Sequence, residues 1–314
     1  MPNHVTILRL GTRGSTLARM QSQLMADALE QRHSSLHVQL EVIQTSGDQI
    51  ADQPLHQMGG KGLFTKELEV ALLERRIDFA VHSYKDVPVT MELVDVSELV
   101  VAATPQRQDP RDALASRNGA RRLMDLPQDS LVGTGSLRRM CQIMALRPDL
   151  RVQGLRGNID TRLRKLGEGQ YDAVILAVAG LKRSGLFDPQ WMTPLENDEM
   201  LPAAAQGALA LQCRRDDATT LDYLKSLHHL PTQVCVDAER KLVELLGGDC
   251  HSPIAALAVL EGDEMELKAA VGARGGRLPV IRAQASGPAN QAGQLVARVH
   301  QALAAQNAAK LLHG

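Results

Sequence analysis

Aromatic residues are scarce: three Phe, three Tyr and one Trp among 314 residues. A stacking platform for single-stranded nucleic acid needs several exposed rings, so nucleic acid is not expected as a partner. Neither sign of charge dominates, because 35 Lys and Arg face 36 Asp and Glu for a net charge of −1. No global field therefore draws the chain to DNA or to an anionic membrane. No apolar run approaches the ~18–20 residues of a membrane span, and no long apolar stretch of the secretory kind follows Met1. A cytoplasmic protein is expected. Cysteine is sparse too: Cys141, Cys213, Cys235 and Cys250 form no C-x-x-C pair, which suits free thiols rather than a disulfide scaffold. Cys235, Cys250, His251 and the His228-His229 pair match no common zinc spacing, so no metal is expected. What remains is a globular composition, 44% hydrophobic and 23% charged, with enough length for two or three domains.

The first hundred residues alternate strand and helix. Val5 to Leu10 predicts a strand, followed by the turn Gly11 to Ser15 and a helix carrying Leu17, Met20, Leu24 and Ala28 at helical spacing, with Ser15 as its cap. Val38 to Ile43 predicts the next strand. Thr45 to Gly62 is a long polar stretch holding four glycines, and loops of that length inside compact domains are usually functional or mobile. A helix from about Thr65 to Arg76 and a strand from Ile77 to Val81 come next, then His82 to Pro88. A second series runs strand, turn and helix through Thr134-Gly135-Ser136, Arg156-Gly157-Asn158 and Ala179-Gly180, the pattern of a mainly parallel sheet with helices on both faces. Pro202 to Gln212 is apolar and crosses back toward the first unit. From about Pro231 a helix, two strand-like runs (Ala255 to Leu260, Met265 to Val271) and a closing helix bearing Ala292, Leu295, Val296, Val299 and Leu303 read as a small α+β domain.

The neutral total hides an asymmetry. Residues 131–165 carry a net charge of +6, which leaves −7 for the rest. Arg13, Arg138, Arg139, Arg156 and Arg162 each lie at or just after a strand-to-helix turn, where open α/β sheets bind ligands. Ser15, Thr134, Ser136 and Asn158 share those turns. Helix N-termini add exposed N–H groups there, and guanidinium is shaped for bidentate carboxylate or phosphate contacts. The pattern points to a cleft for a ligand with several anionic groups. Arg147, Arg151 and Arg164 fit better as ordinary helix-face residues. Phosphate-loop patterns fail: a Gly60-Lys61 loop would need Gly at Leu55 and Ser or Thr at Gly62, and the run from Gly133 ends in Arg138 where a dinucleotide fingerprint has Gly.

The motifs together resemble a specific family, porphobilinogen deaminase. They are Gly11 to Ala18, Gly59 to Glu69, His82 to Pro88, Asp109 to Asp112, Gly133 to Arg139, Leu155 to Asn158 with Thr161-Arg162, Ile175 to Arg183, and Gln206-Gly207. All keep family order over roughly the first 250 residues. The resemblance implies head-to-tail joining of four porphobilinogen units with release of ammonia, then hydrolysis that frees linear hydroxymethylbilane. It implies a dipyrromethane cofactor bound covalently to Cys250, in Leu246 to Pro253, although Asp249 interrupts the family's Gly-Gly-Cys-x-x-Pro loop. A thiolate adds readily to an electrophilic pyrrole methylene; Cys141, Cys213 and Cys235 fit buried inert thiols better.

By the same resemblance, Ser83, Lys85, Thr134, Ser136, Arg138, Arg139 and Arg162 bind the cofactor, and Arg13, Ser15, Arg156, Asn158, Arg183 and Gln206 bind substrate. Lys61 and Phe64 belong to a lid that keeps water out. Gln57 stands where the family often has a second lysine, and Gly135 where many relatives carry Ser. Asp86 is the expected catalytic residue. Ammonia loss from porphobilinogen leaves an azafulvenium cation, and a carboxylate against the pyrrole nitrogen stabilises it and relays protons. The alternative for Asp86 is a residue that merely caps the turn before Pro88.

The expected fold is two periplasmic-binding-protein-like α/β domains with mainly parallel sheets, plus a small C-terminal α+β domain. Domain 1 takes residues 1–104 with 202–226, domain 2 takes 105–201 and domain 3 takes 227–314. The expected protein is a monomer whose partner is porphobilinogen. The rival is a non-catalytic two-lobed solute- or anion-binding protein, which gives Asp86 and Cys250 no role.

Overall fold

The computed structural model describes residues 5–44, 65–89, 96–249, 251–276 and 278–313. The chain divides into two compact units, residues 1–108 with 208–232 and residues 109–207 with 233–314.

In the first unit, β1 (Thr6–Thr12), β2 (Leu36–Val42), β3 (Phe79–Ser83), β4 (Leu99–Ala103) and β10 (Leu209–Arg214) form one sheet in the order β2-β1-β3-β10-β4. β1 runs parallel to β2 and β3, while β10 runs antiparallel to β3 and β4. One strand in five is therefore reversed. Helices α1 (Thr16–Arg32) and α2 (Lys66–Leu73) belong to this unit. Leu10, Leu29, Phe79 and Leu211 are wholly buried, and each such side chain contributes about 1.5–3 kcal/mol relative to exposure.

Ser15 caps α1 as expected, its Oγ accepting the Ala18 N–H at 3.4 Å. The buried face of α1 differs from the expected stripe. Met20 and Leu24 are 42% and 45% exposed, and Gln21, Ser22, Met25, Ala26 and Leu29 face inward. Two polar residues on the inner face disguise the helix's orientation, and Gln21 has a use there: its Oε1 accepts the Ser83 hydroxyl at 3.2 Å.

The second unit repeats the plan. β5 (Asp112–Ser116), β6 (Leu131–Gly133), β7 (Arg151–Gln153), β8 (Ala173–Ala177) and β9 (Met192–Pro194) lie in the order β7-β6-β8-β5-β9. β6 is parallel to β7 and β8, and β5 is the reversed strand between β8 and β9. Helices α3 (Leu137–Leu146), α4 (Ile159–Gly167) and α5 (Val178–Arg183) come after β6, β7 and β8 in turn. β5 and β9 have no strand signature in sequence. β5 is buried along all five residues, so it lacks the alternation that marks a half-buried strand, and β9 is three residues long.

Helix α6 (Ala218–Lys225) lies in the first unit, and α7 (Leu230–Leu245) leads into the C-terminal segment. That segment is an antiparallel meander of β11 (Ile254–Glu261), β12 (Glu264–Gly272) and β13 (Val280–Pro288), closed by α8 (Ala292–Ala305) and α9 (Ala308–His313). The third strand is an addition to the two expected runs. Leu295, Val296, Val299 and Leu303 of α8 are buried, as their spacing predicts. The meander packs within the second unit: Cys141 of α3 lies against Gly272, its Sγ donating to the Ala273 carbonyl at 3.4 Å. Each unit is thus built on a mainly parallel five-stranded sheet with one reversed strand, and the meander with its helices is a small α+β addition.

Candidate functional site

Two rims, one in each unit, collect the expected residues at the carboxyl ends of parallel strands. In the first unit Gly11 of β1 pairs with Ala80 of β3, so Arg13 and His82 stand at the same level. Ser15 comes next on the β1 side. On the β3 side come Ser83 and a single 3-10 turn, Tyr84–Asp86. Tyr84 is buried, Arg13 and Lys85 are half-buried, and Asp86 is exposed.

His82 anchors this turn from below. Its Nε2 lies 2.9 Å from Gln212 Oε1, and Gln212 Nε2 donates to Glu69 Oε1 at 3.3 Å. Because the amide nitrogen is committed to Glu69, its oxygen takes the imidazole N–H. Burial pushes the His82 imidazole down to about 4, and the Arg13 charge adds to this. The imidazole is thus neutral near pH 7, and the rim's positive charge comes from Arg13 and Lys85 rather than His82.

In the second unit the site is built around Asp112, a residue within the Asp109 to Asp112 motif but given no role of its own by the sequence. Asp112 is completely buried. Its Oδ2 accepts from Arg138 Nη1 at 2.8 Å, and its Oδ1 accepts from Arg139 Nη2 at 2.7 Å and Gln206 Nε2 at 2.8 Å. Arg138 also donates to the Leu201 carbonyl at 2.6 Å and Arg139 to the Ile175 carbonyl at 2.8 Å. Both guanidiniums are buried. Burial alone would raise the Asp112 carboxyl, but the two arginine charges overcome it and hold the group far below its usual range.

Two cations against one anion leave a surplus positive charge in a dry setting. Arg139 Nε is buried with no hydrogen-bond partner, and a buried unsatisfied donor is costly unless something satisfies it. Arg183 at the end of α5 repeats the feature: Nη2 donates to the Gly207 carbonyl at 2.7 Å, Nε is buried and unpartnered, and burial lowers the group to about 10.

Around this centre, Thr134 Oγ1 accepts the Ser136 N–H at 3.2 Å. Ser136 starts α3 without making a side-chain capping bond, so its hydroxyl is not committed to the helix. Asn158 stands at the start of α4, and Arg162 Nε donates to the Gly157 carbonyl at 2.8 Å. Gly157 has φ 108°, and a Cβ there would lie 2.6 Å from Thr161, so the turn presenting Arg156 and Asn158 requires glycine. The other arginines have plain structural work. Arg147 binds Asp149 and the Leu123, Met124 and Leu126 carbonyls; Arg151 binds the Asp129 carbonyl; Arg164 pairs with Glu168.

Lys61, Phe64 and Cys250 lie outside the described residues. Cys141, Cys213 and Cys235 are buried and form no disulfide, and burial pushes the first two up to about 11 and about 12. Neither is a ready thiolate. Among the described residues no cluster of three or more His, Cys, Asp or Glu is placed to hold a metal, and no helix is long and apolar enough to cross a membrane.

Two family models match the chain: "Porphobilinogen deaminase, dipyromethane cofactor binding domain" over residues 8–222 and "Porphobilinogen deaminase, C-terminal domain" over residues 233–305. The chain belongs to the porphobilinogen deaminase family. It is 45% identical over 307 residues to porphobilinogen deaminase of Roseiflexus sp. (strain RS-1), covering 98% of this chain and 99% of that one. The relative from Roseiflexus castenholzii is 44% identical over 307 residues with the same coverage. Among solved structures, the probable amino-acid ABC transporter extracellular-binding protein ytmK of Bacillus subtilis is similar at a TM-score of 0.41 and 13% identity, over 77% of this chain and 97% of that one. The first family model carries a dipyrromethane-binding domain, and the surplus guanidinium charge around Asp112 fits a group rich in carboxylates.

Proposed function

We propose that this member of the porphobilinogen deaminase family joins four porphobilinogen units head to tail, losing one ammonia at each condensation, and then hydrolyses off linear hydroxymethylbilane. The observation that carries this reading is the buried two-arginine, one-aspartate centre with its unpartnered Arg139 Nε. Every pyrrole of the product bears an acetate and a propionate, so the growing chain brings the anions that such a centre lacks.

Thr134, Ser136, Arg138, Arg139 and Arg162 would hold the dipyrromethane, together with Ser83 and Lys85, and Cys250 would be its covalent anchor. When bound, that group supplies the nucleophilic pyrrole carbon to which new units are joined. Arg13, Ser15, Arg156, Asn158, Arg183 and Gln206 serve the incoming substrate, with guanidinium forks orienting its two carboxylates. Asp86 sets its carboxylate against the substrate's pyrrole nitrogen. There it stabilises the positive charge left as the amine departs, and accepts the proton released when the new carbon–carbon bond is complete. The division into residues 1–104 with 202–226, 105–201 and 227–314 then puts the acid–base turn, the Asp112, Arg138 and Arg139 cluster and the anchoring cysteine in separate segments, while Gln206 and Gly207, which bind Asp112 and Arg183, group with residues 109–207. The protein acts as a cytoplasmic monomer in this account.

Ammonia counting tests it. The purified chain given porphobilinogen should release four ammonia per tetrapyrrole formed. A reversible solute binder would take up porphobilinogen and release none, and that result would refute the assignment.

A further inference from the structure

We infer that Glu239 is a positioning residue for the carboxylate-binding surface, and that it acts by holding a left-handed turn at Ala205. This rests on the assignment of Arg138, Arg139, Arg183 and Gln206 to that surface. Ala205 has φ 59°, a conformation that a residue with a Cβ seldom adopts. Such a geometry persists only where its surroundings over-determine it, and it tends to mark functional segments.

The over-determination comes from α7. Glu239 is wholly buried; its Oε2 accepts the Ala205 N–H at 2.6 Å and its Oε1 accepts the Ala258 N–H of β11 at 2.8 Å. The carboxylate thus ties the turn to the C-terminal sheet, from the helix that precedes Cys250 in the sequence.

The arginine centre depends on the two residues after Ala205. Gln206 Nε2 donates to the Pro110 carbonyl and to Asp112 Oδ1, both at 2.8 Å. Gly207, at φ 89°, supplies the carbonyl that takes Arg183 Nη2. If Ala205 relaxed to a right-handed conformation, the chain direction after it would change. Gln206 would leave Asp112 and the Gly207 carbonyl would leave Arg183. Glu239 therefore acts at one remove: the turn it fixes sets the position of Arg183 and completes the shell of Asp112.

Glutamine at 239 has one acceptor oxygen for two N–H donors, so one of them would face an amide N–H. Glycine at 205 removes the cost of the left-handed conformation and so removes the need for the staple. Wild type, Glu239→Gln, Ala205→Gly and the double variant are compared in KM and kcat for porphobilinogen, dipyrromethane content and melting temperature. Glu239→Gln should raise KM about tenfold, as expected for loss of one charge-assisted hydrogen bond, with a much smaller change in kcat. The double variant should recover most of that KM while its melting temperature stays low, because the Ala258 contact is not repaired.

An unchanged KM in Glu239→Gln, or the same raised KM in the double variant, would overturn the inference. Should Glu239→Gln fail to fold, the double variant is expected to give folded, loaded protein, and failure of both would overturn it equally. Arg183→Leu separates the two levels. A wild-type KM there would sink the assignment of the surface, and this inference with it; a raised KM without rescue of Glu239→Gln by glycine would sink the role of Glu239 alone.

Discussion

Asp86→Asn is expected to lower turnover by about 10²–10⁴-fold, the range that a positioned acid–base group contributes, and to leave the dipyrromethane in place. The substitution keeps size and shape at an exposed position, so the turn Tyr84–Asp86 and the buried Tyr84 beneath it should persist. What it removes is the negative charge. An amide cannot balance a pyrrole cation, and it cannot take the proton released after bond formation. The Arg13 side of the rim is untouched, so substrate should still bind. Ammonia release measured beside cofactor content separates these effects. Near-normal turnover would return Asp86 to the humbler role of a residue ending a turn before Pro88.

Asp112→Asn should act on folding and loading rather than on chemistry. The carboxylate is the counter-ion of two buried guanidiniums, and removing one partner from a buried ionic cluster costs about 3–5 kcal/mol. Asparagine leaves Arg138 and Arg139 unneutralised and offers one oxygen where three donors converge. The expected product is a variant with a markedly lower melting temperature, largely free of dipyrromethane.

The pH dependence has a definite sign. The folded-state carboxyl sits below its usual value because the arginine charges outweigh burial. Its contribution is therefore complete above the unfolded pKa of about 3.9 and disappears as pH falls below that toward the folded value. Acid unfolding of the wild type should show this loss below about pH 4, and the Asn variant should lack it. Equal stability of the two proteins at pH 7 would contradict the cluster's importance.

The strand-to-helix turns bearing Arg13, Arg138, Arg156 and Arg162 are legible in the sequence because glycine, short polar residues and apolar runs punctuate them. Strand β5 is not, since Asp112 to Ser116 is buried on both faces and carries no alternation. With β5 hidden, nothing in the sequence marks Asp112 as the centre of a cluster. Glu239 escapes for a similar reason: a charged residue within a helix suggests a solvated face, and its burial depends on segments at Ala205 and Ala258 that only folding brings to it. The α1 face misleads because Gln21 and Ser22 point inward. In each case the missing information is long-range polar pairing, which local periodicity does not encode.

The most direct test of the account is the intact mass of the purified protein. A mass above that of the sequence by one dipyrromethane, falling to the sequence mass when Cys250 is replaced by alanine, is the predicted result. Fully active protein at the unmodified mass would contradict it.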